Sequence, residues 1–345
     1  MSVLYLIEPQ CIVHREGEKL VVKKGGDVLH SVHIFKIEQV VVAGNATLTT
    51  PVIKTLLYNE IDTVFVTMAG RYCGRLQSPE GKNIVLRKAH FMRHADNEFA
   101  LNFIKSVVKG KLRNQRTVLA RIQKNQKNLD MTIPLKKLSL IENDIEKAQN
   151  IDEIRGHEGF AASIYFPEWG KGLKADGISF STRQRRPPKD PVNALLSLGY
   201  TFLLHAVSRS VDICGLDPYL GFLHTIEYGR PSLVLDLMEE WRPALIDSLV
   251  MSVFNLGVIT KDDFMEYIEE DEEKLEDKTS KSGLRLNNGG WRKFVAQYER
   301  KLSDEITSHL DGLKRDYRNT ILSQARHFVQ YVKGETDGYL PYLIK

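Results

Sequence analysis

The run Ser78-Pro79-Glu80-Gly81-Lys82 separates two stretches of opposite periodicity. Proline fixes φ and removes a backbone donor, and glycine tolerates turns, so such a cluster reads as a connection between domains. Upstream of it, Val3–Ile7, Lys19–Lys23 and Val64–Met68 are short β-branched or aromatic runs, and Val40–Val42 precedes the turn-like Gly44-Asn45-Ala46. Gly25-Gly26-Asp27, Gly70 and Gly74 supply further turns, and Pro51 at the head of Thr50–Asn59 predicts one helix among the strands. Downstream, Phe91, Phe99, Phe103, Ile104, Val107 and Val108 recur at helical spacing. Asp190-Pro191 opens the clearest helix, which is expected to stop near Gly215, and further helical patterns cover Ser232–Leu256 and Glu299–Tyr331. The expected fold class is α+β. Residues 1–80 are expected to form a small mostly-β domain and residues 81–345 a larger all-α domain.

With 42% hydrophobic and 27% charged residues, the 345-residue chain has the composition of a soluble globular protein. Its longest apolar candidate, Ala194 to Val207, is shorter than the ~18–20 residues of a membrane span and carries His205, so it reads as a buried helix. The first ten residues carry no basic leader. Cys11, Cys73 and Cys214 form no CxxC pair, which excludes a zinc ribbon and points to a reducing cytoplasm. Charge is unevenly spread. Val85–Lys127 holds eleven Lys or Arg against two acids, whereas Asp262–Asp277 holds ten acids against Lys274. The basic block suits phosphates or a solvated helix face, and the acidic block reads as a solvated helix and loop.

Several common chemistries are absent. No GxxxxGK[ST] phosphate loop or GxSxG elbow occurs, and His157-Glu158 fails as HExxH because position 161 is alanine. What remains is an acid–histidine set: Glu158, His224, Asp236, Glu239 and Glu240. Asp236 lies three residues before Glu239 and four before Glu240, so either pair can share a helix face. Carboxylates with one imidazole suit Mg2+ or Mn2+ better than zinc. Spacing alone leaves a metal site and ordinary packing or surface residues both open.

Three linked blocks carry a resemblance. They are Gly156-His157-Glu158-Gly159-Phe160-Ala161-Ala162-Ser163-Ile164-Tyr165-Phe166, then Arg186-Pro187-Pro188-Lys189-Asp190-Pro191-Val192-Asn193-Ala194-Leu195-Leu196-Ser197-Leu198-Gly199-Tyr200, then residues 215–224 (GLDPYLGFLH) followed by 230–243 (RPSLVLDLMEEWRP). In this order, behind a β-rich region, they resemble the CRISPR-associated endonuclease and integrase family of spacer acquisition. The acidic Asp262–Asp277 stretch has no clear counterpart in that family pattern.

The resemblance implies that Glu158, His224 and Glu239 bind a divalent metal, Mg2+ or Mn2+, with His224 ligating as a neutral imidazole. Asp236 would be a further acidic residue of the catalytic site, as a weaker ligand or an outer group. Glu240 is expected to point away, solvated or ion-paired, and Arg242 to brace Glu239 or Asp236. One metal is favoured, since few carboxylates are available to bridge two. The implied reaction is attack of a captured DNA 3′-hydroxyl on a phosphodiester of the CRISPR repeat, or strand cleavage when water or a branched substrate takes part. Arg183, Arg185 and Arg186, with Lys and Arg of 105–121, suit phosphate contacts, while Tyr165 and Trp291 read as packing aromatics. The implied partners are double-stranded and branched DNA, CRISPR repeat and leader DNA, a second copy joined through the β domains, and a small companion protein of ferredoxin-like fold, with no membrane. Two other classes remain: a catalytically silent DNA-binding scaffold, and a small-molecule metal hydrolase, which would show a deep apolar pocket at His224 with no basic surface leading to it.

Overall fold

The computed structural model describes residues 2–76, 83–184, 187–269 and 281–344. The chain opens with β1 (Ser2–Leu6), β2 (Ile12–Glu16), β3 (Lys19–Lys24), β4 (Asp27–His33), β5 (Ile37–Ala43), β6 (Thr47–Leu48), α1 (Thr50–Tyr58), β7 (Asp62–Val66) and β8 (Tyr72–Leu76). These strands build two four-stranded sheets, of order β1-β5-β7-β8 and β4-β3-β2-β6. In the first sheet β1, β5 and β7 run parallel, and α1 lies within the connection that parallel β5 and β7 require.

Side chains alternate across a strand, so β5 serves two cores at once. Val40 and Val42 pack with Leu20, Val52 and Leu56 of the second sheet and α1. Val41 and Ala43 face the other way, into the core shared with the helices. A strand buried on both faces has to read as a continuous apolar run, which is what Val40-Val41-Val42-Ala43 is.

The helical part follows as α2 (Ile84–His94), α3 (Asn97–Asn125), α4 (Thr132–Lys147), α5 (Ile151–Gly170), α6 (Pro191–Cys214), α7 (Ser232–Leu237) and α8 (Ser248–Asn255). A hairpin of β9 (Phe264–Glu269) and β10 (Lys281–Leu286) leads to α9 (Asn288–Leu302), and one of β11 (Glu305–Thr307) and β12 (Lys314–Asp316) leads to α10 (Tyr317–Lys333). The α6 ends follow the sequence reading: Asp190 accepts the Asn193 N–H at 2.8 Å, Pro191 starts the first turn, and Gly215 closes it at φ +73°. The two parts lock together where the Trp291 indole donates to the Met68 carbonyl at 2.8 Å and Arg75 bridges Asp62 and Asp212.

The larger region is therefore mostly helical and not all-α, and three expected elements differ. The Glu299–Tyr331 pattern is broken by the β11–β12 hairpin, whose Asp311-Gly312 turn places Gly312 at φ +72°. The described part of the acidic stretch, residues 262–269, forms a short 3-10 turn and strand β9, because Phe264, Tyr267 and Ile268 carry strand propensity beneath the acids. Ser232–Leu256 is two helices joined through a π-helical turn, Arg242–Asp247, with Pro243 inside it lacking the N–H that a continuous α-helix would use. The Ser78–Lys82 connection and residues 270–277 lie outside the described residues.

Candidate active site

Five segments converge on a cavity of about 330 Å3. The α3 helix contributes Lys111 and Gln115, α5 contributes Arg155 and Glu158, and α6 contributes Tyr200. His224 comes from the loop before α7, while Glu239, Arg242 and Asp247 come from the turn and π-helical segment after it. π-Helical turns recur at functional sites, and here the wider turn accompanies Arg242 and Asp247 at the same opening.

Asp236 organises the imidazole. Its carboxylate is fully buried and accepts the backbone N–H of Phe222 and of Leu223 on one oxygen. The other oxygen accepts the His224 N–H at 3.0 Å and lies 2.7 Å from His224 Nδ1. With Nδ1 donating, Nε2 keeps its lone pair, and it faces Glu239 Oε1 at 3.9 Å. Asp236 thus holds the ring and loop from behind, with its own lone pairs committed. Gly221 makes this loop possible, since a Cβ there would sit 2.4 Å from the Ser232 carbonyl carbon and 2.7 Å from Leu233 N. Gly221→Ala is expected to shift the loop, lower stability by about 1–3 kcal/mol and cut turnover at least about tenfold. Urea unfolding and a nicking assay on the same preparation check both.

Glu239 is buried among cations. Arg242 Nε lies 2.9 Å from Oε1 and Lys111 Nζ 2.6 Å from Oε2, and Lys111 also bonds Glu158 Oε1. Burial pushes the Glu239 carboxyl up, but the Arg242 and Lys111 charges outweigh it and hold it well below the usual carboxylate range. Asp247, buried under the Tyr165 and Tyr200 hydroxyls at 2.9 and 2.5 Å, is pushed up to about 6 by burial, partly offset by those hydrogen bonds.

Among the described residues no three His, Cys, Asp or Glu side chains converge as a ready-made metal cluster. The donor chemistry nonetheless fits a divalent cation. Glu239 Oε2 is buried and meets the Lys111 ammonium at 2.6 Å, so a positive charge already stands where a cation would bind. The His224 Nε2 stands 3.9 Å from the other oxygen of that carboxylate, and Glu158 shares the Lys111 ammonium with it.

Glu158, His224, Asp236 and Glu239 are therefore brought together. Arg183 lines the same cavity, with its guanidinium 5.4 Å from the Tyr200 ring and bonded to Asn193 and Ser197. Arg185 and Arg186 lie outside the described residues. Much of the basic block is matched internally. Lys109 pairs with Glu146, and Arg113 and Arg116 pair with Glu142, so α3 and α4 neutralise each other there. Tyr165 and Trp291 are fully buried.

Glu240 departs from expectation, being neither solvated nor ion-paired. It faces away from Glu239 into the protein, accepting from Gln324 Nε2, the Tyr339 hydroxyl and the Tyr342 N–H. Burial pushes its carboxyl up to about 7, against the pull of those hydrogen bonds. Because the folded value lies above the ordinary 4.5, its contribution to stability is fully present below that value and is lost as pH rises through about 7. Glu240→Gln is expected to be near neutral at about pH 5 and to gain up to about 3 kcal/mol over the parent at about pH 9, measured by urea unfolding at both.

Lys111, Gln115, Arg155, Tyr200 and Asp247 were not singled out by the sequence reading. Lys111 did leave a trace: it stands in the apolar stripe Val107, Val108, Leu112, Val118, Leu119, where a lysine is costly unless paired. Asp247 sits likewise among apolar neighbours at Leu245, Ile246 and Leu249. Tyr200 and Arg155 carry no such mark.

A family model described as CRISPR associated protein Cas1 matches residues 4–300. The chain belongs to the Cas1 family. Among its relatives, CRISPR-associated endonuclease Cas1 3 of Thermus thermophilus is 34% identical over 347 residues, covering 100% of this chain and 98% of that protein. Two solved structures share the Cas1 fold at lower identity. A CAS1 protein from Thermotoga maritima superposes with a TM-score of 0.81 at 22% identity, covering 98% of this chain and 99% of the other. A casposase bound to integration product gives a TM-score of 0.83 at 22% identity, covering 100% and 95%. The β-rich start and mostly helical remainder expected from the sequence are the arrangement found. Among the described residues no helix is long and apolar enough to cross a membrane.

Proposed function

We propose that this Cas1 family member is an endonuclease and integrase that inserts captured DNA into a CRISPR array as new spacers. The reaction is phosphoryl transfer at a divalent cation, Mg2+ or Mn2+, held by Glu158, His224 and Glu239. The observation that carries this reading is the buried Glu239 carboxylate beside an imidazole oriented by Asp236, in a cavity that also holds Glu158 and is bordered by Arg155, Arg183, Arg230 and Arg242. A carboxylate that orients a ligating histidine raises its basicity and fixes its tautomer. When bound, the cation supplies Lewis-acid polarisation of the phosphoryl oxygen and charge stabilisation on the attacking and leaving oxygens.

The chain's own groups do the rest. Arg183 and Arg242 present positive charge where a phosphodiester would lie, with the Arg242 guanidinium 4.7 Å from the Tyr200 ring. Asp236 and the loop it bonds keep the imidazole from turning. A DNA 3′-hydroxyl forms the new O–P bond as the strand's own 3′ oxygen leaves, so the phosphodiester count is unchanged; water in the same role leaves a nick. Repeat and leader DNA, double-stranded and branched, are the substrates of this reading. It takes the protein as a cytoplasmic homodimer, with residues 1–80 as a domain joining the copies, and places a small ferredoxin-like companion protein between dimers. Exposed Phe35 and Tyr58 in the β-rich part suit such a contact.

A second reading, a DNA-binding scaffold, draws on the Lys111 bridge, since an ammonium between Glu158 and Glu239 can order these helices without any metal. A small-molecule hydrolase fits poorly, because Lys111 and four arginines line the cavity. A nicking and strand-transfer assay on branched DNA separates the first two, run with Mn2+ or with EDTA and with or without the companion protein. Product that needs Mn2+ supports the integrase, whereas tight DNA binding with no product in any arm leaves the scaffold.

A further inference from the structure

We infer that the Lys111 ammonium competes with the cation for the place between Glu158 and Glu239 and leaves it when metal binds. The inference rests on the metal-site reading above and concerns what a cation has to displace in order to enter that site. Three features carry it. The ammonium is the one group, among the described residues, given an ion pair to both Glu158 and Glu239; Arg242 meets Glu239 through Oε1 only. Its contacts with Glu239 Oε2 at 2.6 Å and with Glu158 Oε1 are both charge-assisted, the kind of contact whose charge a second cation can replace.

The third feature is a place to go. Gln115 stands one helical turn beyond Lys111 on α3, so the two share a face. Its Oε1 is buried, accepts no hydrogen bond, and belongs to a residue lining the same cavity. A lysine has several rotatable bonds, and a turn of its side chain exchanges two carboxylates for this waiting acceptor and the cavity. Arg242 offsets Glu239 but is paired with it alone, so partly exposed Glu158 and buried Glu239 share Lys111 as their common counter-charge, and metal uptake becomes the exchange of one cation for another. In the loaded state the same ammonium stands free to meet a substrate phosphate, which links metal occupancy to DNA binding.

The test compares Mn2+ binding by the full-length wild type and Lys111→Met, reading free Mn2+ by electron paramagnetic resonance. If Lys111 competes, its removal tightens the apparent Kd about tenfold or more and enlarges the rise in melting temperature on adding Mn2+. A folded Lys111→Met with unchanged or weaker Mn2+ affinity overturns the exchange. If Lys111→Met does not fold without metal, acetylation of Lys111 in the wild type, followed by mass spectrometry, decides instead. Labelling that rises several-fold with Mn2+ supports release of the ammonium, and labelling that does not change contradicts it. Tighter Mn2+ binding by the variant together with no strand transfer by the wild type overturns the proposed reaction and leaves the exchange standing. No Mn2+ binding by either protein overturns both.

Discussion

Strand transfer falls at least about a thousandfold in both His224→Ala and Glu239→Ala, roughly 4 kcal/mol of transition-state stabilisation, but only Glu239→Ala also loses substantial stability. The difference follows from burial. His224 is partly exposed, and removing its ring leaves Asp236 still accepting the backbone N–H groups of Phe222, Leu223 and His224. Its truncation should cost about 1 kcal/mol, the value of one hydrogen bond. Glu239 is the carboxylate to which both Lys111 and Arg242 are paired, and all three are buried or nearly so. Taking it away leaves buried cations short of a counter-charge, which costs about 3–5 kcal/mol. Urea unfolding beside a strand-transfer time course gives both numbers. Equal stability in the two variants would mean that Glu239 is not the charge centre that the geometry makes it.

Asp236 is the second large effect, acting through other groups. In Asp236→Ala three backbone N–H groups and the His224 Nδ1–H lose their acceptor inside the protein. Each orphaned donor costs about 1–3 kcal/mol, so this variant is expected to be severely destabilised or unfolded. Asp236→Asn keeps the shape but turns an amide NH2 towards a donor. Either the His224 ring flips its tautomer and loses the Nε2 lone pair, or one backbone N–H is left facing another donor. A change of this kind behind a ligating histidine weakens metal binding by about 10–100-fold. Strand transfer measured against Mn2+ concentration should shift by that factor in Asp236→Asn and recover in part at saturation. A curve that lies on the wild-type one would reduce Asp236 to a structural role.

The fold was legible where local chemistry and burial agree. Asp190, Pro191 and Gly215 mark both ends of α6, and the apolar run Val40–Ala43 marks a strand buried on both sides. It was less legible where two signals compete. Helical spacing between Glu299 and Tyr331 hid the Asp311-Gly312 turn, and acidic charge hid the strand-forming Phe264, Tyr267 and Ile268.

In the site, residue types and spacing nominated Glu158, His224, Asp236, Glu239 and Glu240 and the family resemblance set Glu240 aside, since spacing along one helix cannot say which carboxylate faces inward. The structure separates them by their partners: Asp236 is committed to four donors, Glu239 to cations, and Glu240 to neutral groups on the far side. Lys111 comes from α3, 47 residues before Glu158 in sequence, and only tertiary packing brings the two together.

In the proposed reaction Glu158, His224 and Glu239 hold a divalent cation in one cavity. Pulsed electron paramagnetic resonance on the Mn2+-loaded protein tests it without relying on turnover, because a ligating imidazole imprints a nitrogen coupling on the manganese signal. A coupling from a single histidine is expected in the wild type and is expected to disappear in His224→Ala. A loaded wild type without nitrogen coupling, or a coupling that survives His224→Ala, would contradict it.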